Sequence, residues 1–248
     1  MLTAPVPTLQ HLLWDSASRR GSRSLNADAF AIHRDPVTGR TAFVVADGIG
    51  DSLGAARAAW LAANTAAEAA ASGQDPADAI LTAQRAVRAA LPGEESGDTV
   101  LAVAVPDAGP AGLALDVAWV GDCRVYHSNG RVLEQVTTDH TVAEYFRSRG
   151  RRATQRMEHM VTTSVRTVRP ERIGRNRTGF AAGRLLLCSD GVHKPLPVGA
   201  LREILDRPAA PDLAAKFLAD NALALGGTDN TTALVVDHFM PSPRAMAA

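Results

Sequence analysis

Apolar runs short enough for strands alternate along this chain with longer stretches spaced for helices. Ala29–His33 and Ala42–Ala46 are apolar, and Asp35-Pro36-Val37-Thr38-Gly39 between them is a turn signal, so the pair predicts a hairpin. The stretch from Ser52 to Ser72 is so rich in alanine that helix propensity alone supports a helix. A second helix is expected from Asp75-Pro76-Ala77-Asp78: Asp75 can cap, Pro76 suits the first helical position, and Asp78 favours the positive helix end. Ile80, Val87 and Leu91 then fall near one face, and Pro92-Gly93 stops the helix.

A strand-rich block follows: Thr99–Val105, Leu113–Val120, Arg124–His127 and Val132–Gln135, the last two joined by Ser128-Asn129-Gly130 as a hairpin turn. Pro106–Gly112 and Pro195–Gly199 read as turns between elements. Val142–Arg149 predicts a helix, whereas 150–178 is polar, arginine-rich and without a readable period. Arg184–Ser189 predicts a strand, Pro197–Leu205 and Pro211–Leu225 predict helices, and Thr231–His238 a closing strand. In the last helix Leu213, Phe217 and Leu218 are expected to share the apolar face. Strands group in runs and helices in pairs. That arrangement favours an α+β layered fold with mainly antiparallel sheets over a regular alternating parallel one.

Composition narrows this picture. With 248 residues, 46% of them hydrophobic, the chain can bury a sizeable core. No repeat or long linker divides it, so one domain over 1–240 and a flexible tail over 241–248 are expected. Lys+Arg and Asp+Glu are both 26, which leaves no net electrostatic footprint for nucleic acid or an anionic membrane. Arg147, Arg149, Arg151, Arg152 and Arg156 form a local basic cluster, read first as a solvated loop. Cys123 and Cys188 sit in or beside apolar runs and are expected as buried thiols. Met1–Gln10 has no charged start followed by a long apolar core. Neither a signal peptide nor a membrane span is read, and the cytoplasm is expected.

The chemistry lies in a recurring event: an aspartate beside glycine at the edge of an apolar strand. It occurs at Val45-Ala46-Asp47-Gly48, Val120-Gly121-Asp122, and Ser189-Asp190-Gly191; Asp229 and Asp28 precede strands in Gly227-Thr228-Asp229 and Asn26-Ala27-Asp28. Asp-Gly is a good turn dipeptide, which explains any single instance. Several carboxylates converging on one edge would repel unless cations lay between them, and hard divalent ions such as Mg²⁺ and Mn²⁺ prefer oxygen ligands. The seven histidines are dispersed and no C-x-x-C occurs, so zinc spacing is absent.

In order, the motifs are Arg23-Ser24-Leu25-Asn26-Ala27-Asp28-Ala29-Phe30, Phe43-Val44-Val45-Ala46-Asp47-Gly48-Ile49-Gly50 and Gly97-Asp98-Thr99. They continue with Val120-Gly121-Asp122-Cys123-Arg124, Thr138-Asp139-His140-Thr141, Leu187-Cys188-Ser189-Asp190-Gly191 and Gly227-Thr228-Asp229-Asn230-Thr231. Over about residues 20–238 this series resembles the metal-dependent type-2C (PPM) Ser/Thr protein phosphatases in their compact bacterial form. The resemblance implies a four-layer α-β-β-α sandwich with two mainly antiparallel sheets flanked by helices. It implies two Mn²⁺ or Mg²⁺ ions per chain, bridged by Asp47, with the Gly48 carbonyl, Asp190 and Asp229 as further ligands and Asp28 beside them holding metal-bound water. Arg23 would grip the substrate phosphate with its guanidinium fork. The reaction implied is attack of a metal-activated water on phosphoserine or phosphothreonine, with no phosphoenzyme and no essential cysteine.

The sequence departs from the family pattern at three places. Ala27 stands where the family usually has Glu or Gln, Ile49 where some members have a histidine acid, and Lys194 where many have an Asp. That Asp helps hold a third ion, so Lys194 argues against one here and leaves Asp122 as either its ligand or a structural residue. The resemblance further implies phosphorylated protein substrates, a Ser/Thr kinase acting on the same targets, and a monomer. Residues 147–177 correspond to the family's variable flap. Two other readings stand beside the phosphatase: an inactive pseudophosphatase that binds phosphoproteins, to which Ala27 and Lys194 point, and a metal hydrolase of small phosphoesters.

Overall fold

The computed structural model describes residues 12–93, 96–109, 112–179 and 183–238. The chain opens with β1 (Leu12–Arg19), β2 (Asp28–Arg34) and β3 (Thr41–Gly48), followed by α1 (Leu53–Ala71) and α2 (Pro76–Ala90). Then come β4 (Thr99–Gly109), β5 (Gly112–Val120), β6 (Arg124–Ser128), β7 (Leu133–Gln135) and α3 (Val142–Arg147). The remainder is β8 (Gly174–Gly179), β9 (Gly183–Cys188), α4 (Asp190–His193), α5 (Val198–Asp206), α6 (Pro211–Ala224) and β10 (Thr231–His238).

Two five-stranded sheets result, ordered β1-β10-β9-β6-β7 and β2-β3-β4-β5-β8. Every strand pairing in them is antiparallel. Three apolar layers separate four layers of structure. Phe43, Val45, Leu115, Leu185, Leu187 and Leu234 fill the space between the sheets. Val44, Leu101 and Val103, on the opposite face of the second sheet, pack under α1 and α2. Leu186, Ala233 and Val235 of the first sheet pack against α5 and α6 through Leu201, Ala215 and Leu218. The inner strands therefore bury both faces, which is why 43–46 reads as an unbroken apolar run rather than an alternating one. The expected α-β-β-α sandwich is the fold observed.

The alanine stretch forms α1 with Ser52 as N-cap, its Oγ accepting from Ala55 N at 3.1 Å. Every buried residue of α1 is alanine. Asp75 caps α2 as expected, accepting from Ala77 N at 2.9 Å, and Ile80, Val87 and Leu91 are buried.

Several expectations need correction. Pro106 is not in a turn: β4 continues through it to Gly109, with Pro106 paired to Leu115. Gly199 lies inside α5 rather than in a turn. In α6, Leu213 and Phe217 face outward; the buried face is Leu218 with the alanines Ala214, Ala215, Ala219 and Ala222 around it. The structure adds β1 and β8, for which no strand was expected, and α4, a single turn after β9. Both cysteines are free and buried, as expected. Residues 241–248, expected as a flexible tail, lie outside those described. No helix among the described residues is long and apolar enough to cross a membrane.

Candidate active site

The sheets bring their aspartate-bearing ends together at one rim. From the second sheet, antiparallel register sets Asp28, at the start of β2, opposite Asp47 near the end of β3. Gly48 follows, and a Cβ there would lie 2.7 Å from the Ala55 carbonyl oxygen and 2.8 Å from that of Ala27, so only glycine lets α1 begin so close. Thr99 Oγ1 donates to the Asp47 carbonyl at 2.7 Å and holds the strand end against β4. From the first sheet, Asp190 opens α4 directly after β9, Asp229 precedes β10, and Asp122 sits in the turn between β5 and β6.

Two polar side chains lock these ends together. Ser189 Oγ donates to Asp28 Oδ2 at 2.7 Å and accepts from Thr232 N at 3.0 Å, so it joins the sheets at the site. Asn230 Nδ2 donates to the carbonyls of Arg20 (2.7 Å) and Leu25 (2.9 Å), and its Oδ1 accepts from Ala27 N at 2.8 Å. Ala27 is thus buried backbone scaffolding, with no side chain to offer an ion or a water.

Arg23, Asp47, Gly48, Asp122, Asp190 and Asp229 line one cavity of about 140 Å³, together with Ile49, Val161 and His159. An adjoining groove of about 330 Å³ shares Asp190, Asp229 and His159 and runs past Lys194 and Gly226–Thr228. Asp28 is the one expected site residue that does not line the cavity. It stands behind Asp47, across the β2–β3 pair.

The carboxylates divide by their partners. Burial, and then Asp28, Asp190, Asp122 and Asp229 in turn, push the Asp47 carboxyl well above the usual carboxylate range. Asp28 is raised to about 7, chiefly by burial, against the lowering effect of hydrogen bonds from Ser189 and Thr232. Its Oδ1 is buried with no hydrogen-bond partner. Asp190 is buried too, yet the Lys194 ammonium, 2.5 Å from its Oδ2, holds its carboxyl below the usual range. The same ammonium lies 3.0 Å from Asp122 Oδ2; burial and Asp190 still raise Asp122 to about 6. Arg23 Nη2 donates to Asp229 Oδ2 at 2.7 Å.

Such a donor set suits a hard divalent cation. It is all oxygen, its carboxylates on the Asp28–Asp47 side form no ion pair with a basic side chain among the described residues, and Asp28 Oδ1 on that side is buried without a hydrogen-bond partner. On the other side Lys194 and Arg23 occupy carboxylate oxygens. Among the described residues, no three acidic, histidine or cysteine side chains are gathered closely enough to hold an ion as they stand.

Sequence patterns did not reveal the roles of several residues that shape the site. His159 reaches the cavity from a 3-10 turn over Gln155–His159, and its Nδ1 lies 3.3 Å from Lys194 Nζ; an ammonium only donates, so Nδ1 accepts. The loop carrying Arg23 is fixed by Asp51, which accepts from Ser24 N (3.0 Å), Ser24 Oγ (2.8 Å) and Leu25 N (3.3 Å). Asp98 anchors the flap by accepting from Ser164 Oγ at 2.5 Å and Arg166 N at 3.0 Å. Asp51 is a polar residue beside a turn with nothing local to distinguish it, while Ser24 and Asp98 stand inside the motifs quoted above with no role of their own expected. The flap arginines stay out of the cavity: Arg147 pairs with Glu158, and Arg149 stacks 3.6 Å over the Tyr145 ring.

The family model for protein phosphatase 2C matches residues 16–221. The chain belongs to the protein phosphatase 2C family. Among curated relatives, the serine/threonine protein phosphatase PstP of Mycobacterium tuberculosis is 29% identical over 132 residues, which are 51% of this chain and 26% of that protein. The chain therefore matches about a quarter of that relative's length. Among solved structures, the catalytic domain of PstP in complex with two manganese ions superposes with a TM-score of 0.75 at 26% identity, covering 91% of this chain and 97% of that one. The phosphatase Stp1 of Staphylococcus aureus reaches a TM-score of 0.78 at 19% identity, covering 94% and 96%, a likeness of fold.

Proposed function

We propose that this chain hydrolyses phosphoserine and phosphothreonine in proteins, using two Mn²⁺ or Mg²⁺ ions held by Asp47, the Gly48 carbonyl, Asp190 and Asp229. The observation that carries this reading is the convergence of strand-end carboxylates from both sheets, with Arg23, on one small cavity in a protein phosphatase 2C chain. When bound, the ions supply Lewis acidity, lowering the pKa of a water and offsetting phosphoryl charge.

The chain's own residues do the rest. Asp28 stands behind the ligands with an unpaired oxygen that can orient a water, while Ser189 fixes its other oxygen. Arg23 presents several N–H donors at the cavity wall; to take a substrate phosphate it exchanges Asp229 for the phosphate oxygens. A cysteine route is disfavoured by the same physics that builds the core. Both thiols are buried, and burial pushes them up, away from the thiolate a nucleophile requires. Phosphorylated proteins, a Ser/Thr kinase sharing those targets, a monomeric state and a cytoplasmic setting complete the proposal.

A phosphothreonine peptide incubated with Mn²⁺, with Mg²⁺ and with chelator tests this. Turnover is expected with metal and none with chelator. Asp47→Asn is expected to lose more than the roughly 10–100-fold typical of residues one shell outside a metal. Turnover that persists in chelator or in Asp47→Asn would sink the two-metal reading. Peptide binding without turnover at any metal concentration would leave a phosphoprotein-binding module.

A further inference from the structure

The Lys194 ammonium lies 3.0 Å from Asp122 Oδ2 and 2.5 Å from Asp190 Oδ2, between the two carboxylates. All three side chains are largely buried, at 19%, 5% and 14% exposure for Lys194, Asp122 and Asp190. Lys194 sits one helical turn after Asp190, at the C-cap of α4, so the helix itself delivers the ammonium back to Asp190. His193, on the same turn, makes a 3.0 Å hydrogen bond to the Asp122 carbonyl and fixes that residue from the backbone side. A divalent ion entering between Asp122 and Asp190 would have to break both ion pairs and leave a buried ammonium without a counter-charge. That loss is steep in a poorly solvated site. Among the described residues no ion pair guards Asp47, whose strongest electrostatic neighbours are the carboxylates of Asp28, Asp190, Asp122 and Asp229.

We infer that Lys194 is a resident cation of this centre: its ammonium takes the place between Asp122 and Asp190, so Asp122 ligates no metal and divalent ions bind only on the Asp47 side. Asp190 then serves both halves, giving one oxygen to Lys194 while remaining in contact with Asp47. The inference rests on the proposed metal centre, and it concerns how many ions that centre takes.

The test is an Mn²⁺ count on purified full-length chain after equilibrium dialysis, by direct metal analysis, for wild type, Asp122→Asn and Lys194→Asp. Asp122→Asn is expected to keep the wild-type number of ions. Lys194→Asp replaces the ammonium by a third carboxylate and is expected to bind one ion more. An ion lost in Asp122→Asn, or a folded Lys194→Asp with the wild-type count, would overturn the inference. The Asp122→Asn arm requires no new site to form, so it decides the matter if Lys194→Asp does not fold. Wild-type protein that binds no Mn²⁺ and leaves the phosphothreonine peptide intact would instead refute the proposed function.

Discussion

The two sheets contribute carboxylates to the same rim but treat them in opposite ways. Asp28 and Asp47, from β2 and β3, feel mainly burial and other acids, and among the described residues neither forms an ion pair with a basic side chain. Asp122, Asp190 and Asp229, at the β6, β9 and β10 ends of the other sheet, each meet a cation of the chain, Lys194 or Arg23. Burying a carboxylate is costly on either side, but only one side carries its own remedy. The difference teaches that a cluster of acids is not one electrostatic object. One half stores repulsion that an added ion relieves; the other half is stable without any ion and must give up ion pairs to accept one.

This contrast can be broken most directly by stability in chelator. Asp190→Asn takes away one of the two carboxylates of Lys194 and is expected to cost about 3 kcal/mol, near the lower end for breaking a buried pair because Asp122 remains. Asp47→Asn removes repulsion and is expected to raise the metal-free melting temperature. If thermal melts move both variants in the same direction, the two halves are not different in kind.

A second measurement sharpens the contrast through pH. Asp28 is raised from 3.8 to about 7 by folding, so the folded state favours its protonated form. The stability this provides is complete below pH 4 and is lost as pH rises through about 7. In chelator, Asp28→Asn is therefore expected to match wild type near pH 4 and to melt higher at pH 8. The gain expected is about 5 °C, the shift that 1–2 kcal/mol gives a chain of this size. Mn²⁺ should erase the difference. A gap between the two melting curves that ignores pH would show that Asp28 is not the titrating group.

The smallest effect serves as the control. Ser52→Ala removes the α1 N-cap and is expected to cost about 1 kcal/mol, equally with metal and with chelator. A metal-dependent loss would tie α1 to the carboxylate rim more closely than its contacts suggest.

Much of the fold was legible where local chemistry and tertiary packing agree. The Ser52 to Ser72 helix appears almost to the residue because its alanine content sets the helix and the flanking serines bound the run. β8 was invisible because Gly174–Gly179 is polar throughout, held at the sheet edge by its pairing with β5 rather than by an apolar period. Leu213 and Phe217 misled because large apolar residues suggest the core, while the buried face of α6 is made of Leu218 and alanines. At the site, the strand-end aspartates were readable because they stand beside glycines that mark where a strand stops and turns, whereas Arg23 came only from the resemblance of its motif to the family. His159 was not, since it reaches the cavity only through long-range backbone links: the Thr141–Val161 bridge and the bond from Val142 N to the Met160 carbonyl at 2.8 Å. Lys194 was visible as an unusual residue, but its grip on two carboxylates required the three-dimensional arrangement.

The alanine lining of α1 changes what mutagenesis can learn about that layer. Truncation scanning measures a contact by deleting it, and along this helix there is almost nothing to delete. The informative experiment runs the other way, enlarging one position at a time, because a helix seated this close has no room for an added methylene. Such a surface is tolerant of erosion and brittle to growth.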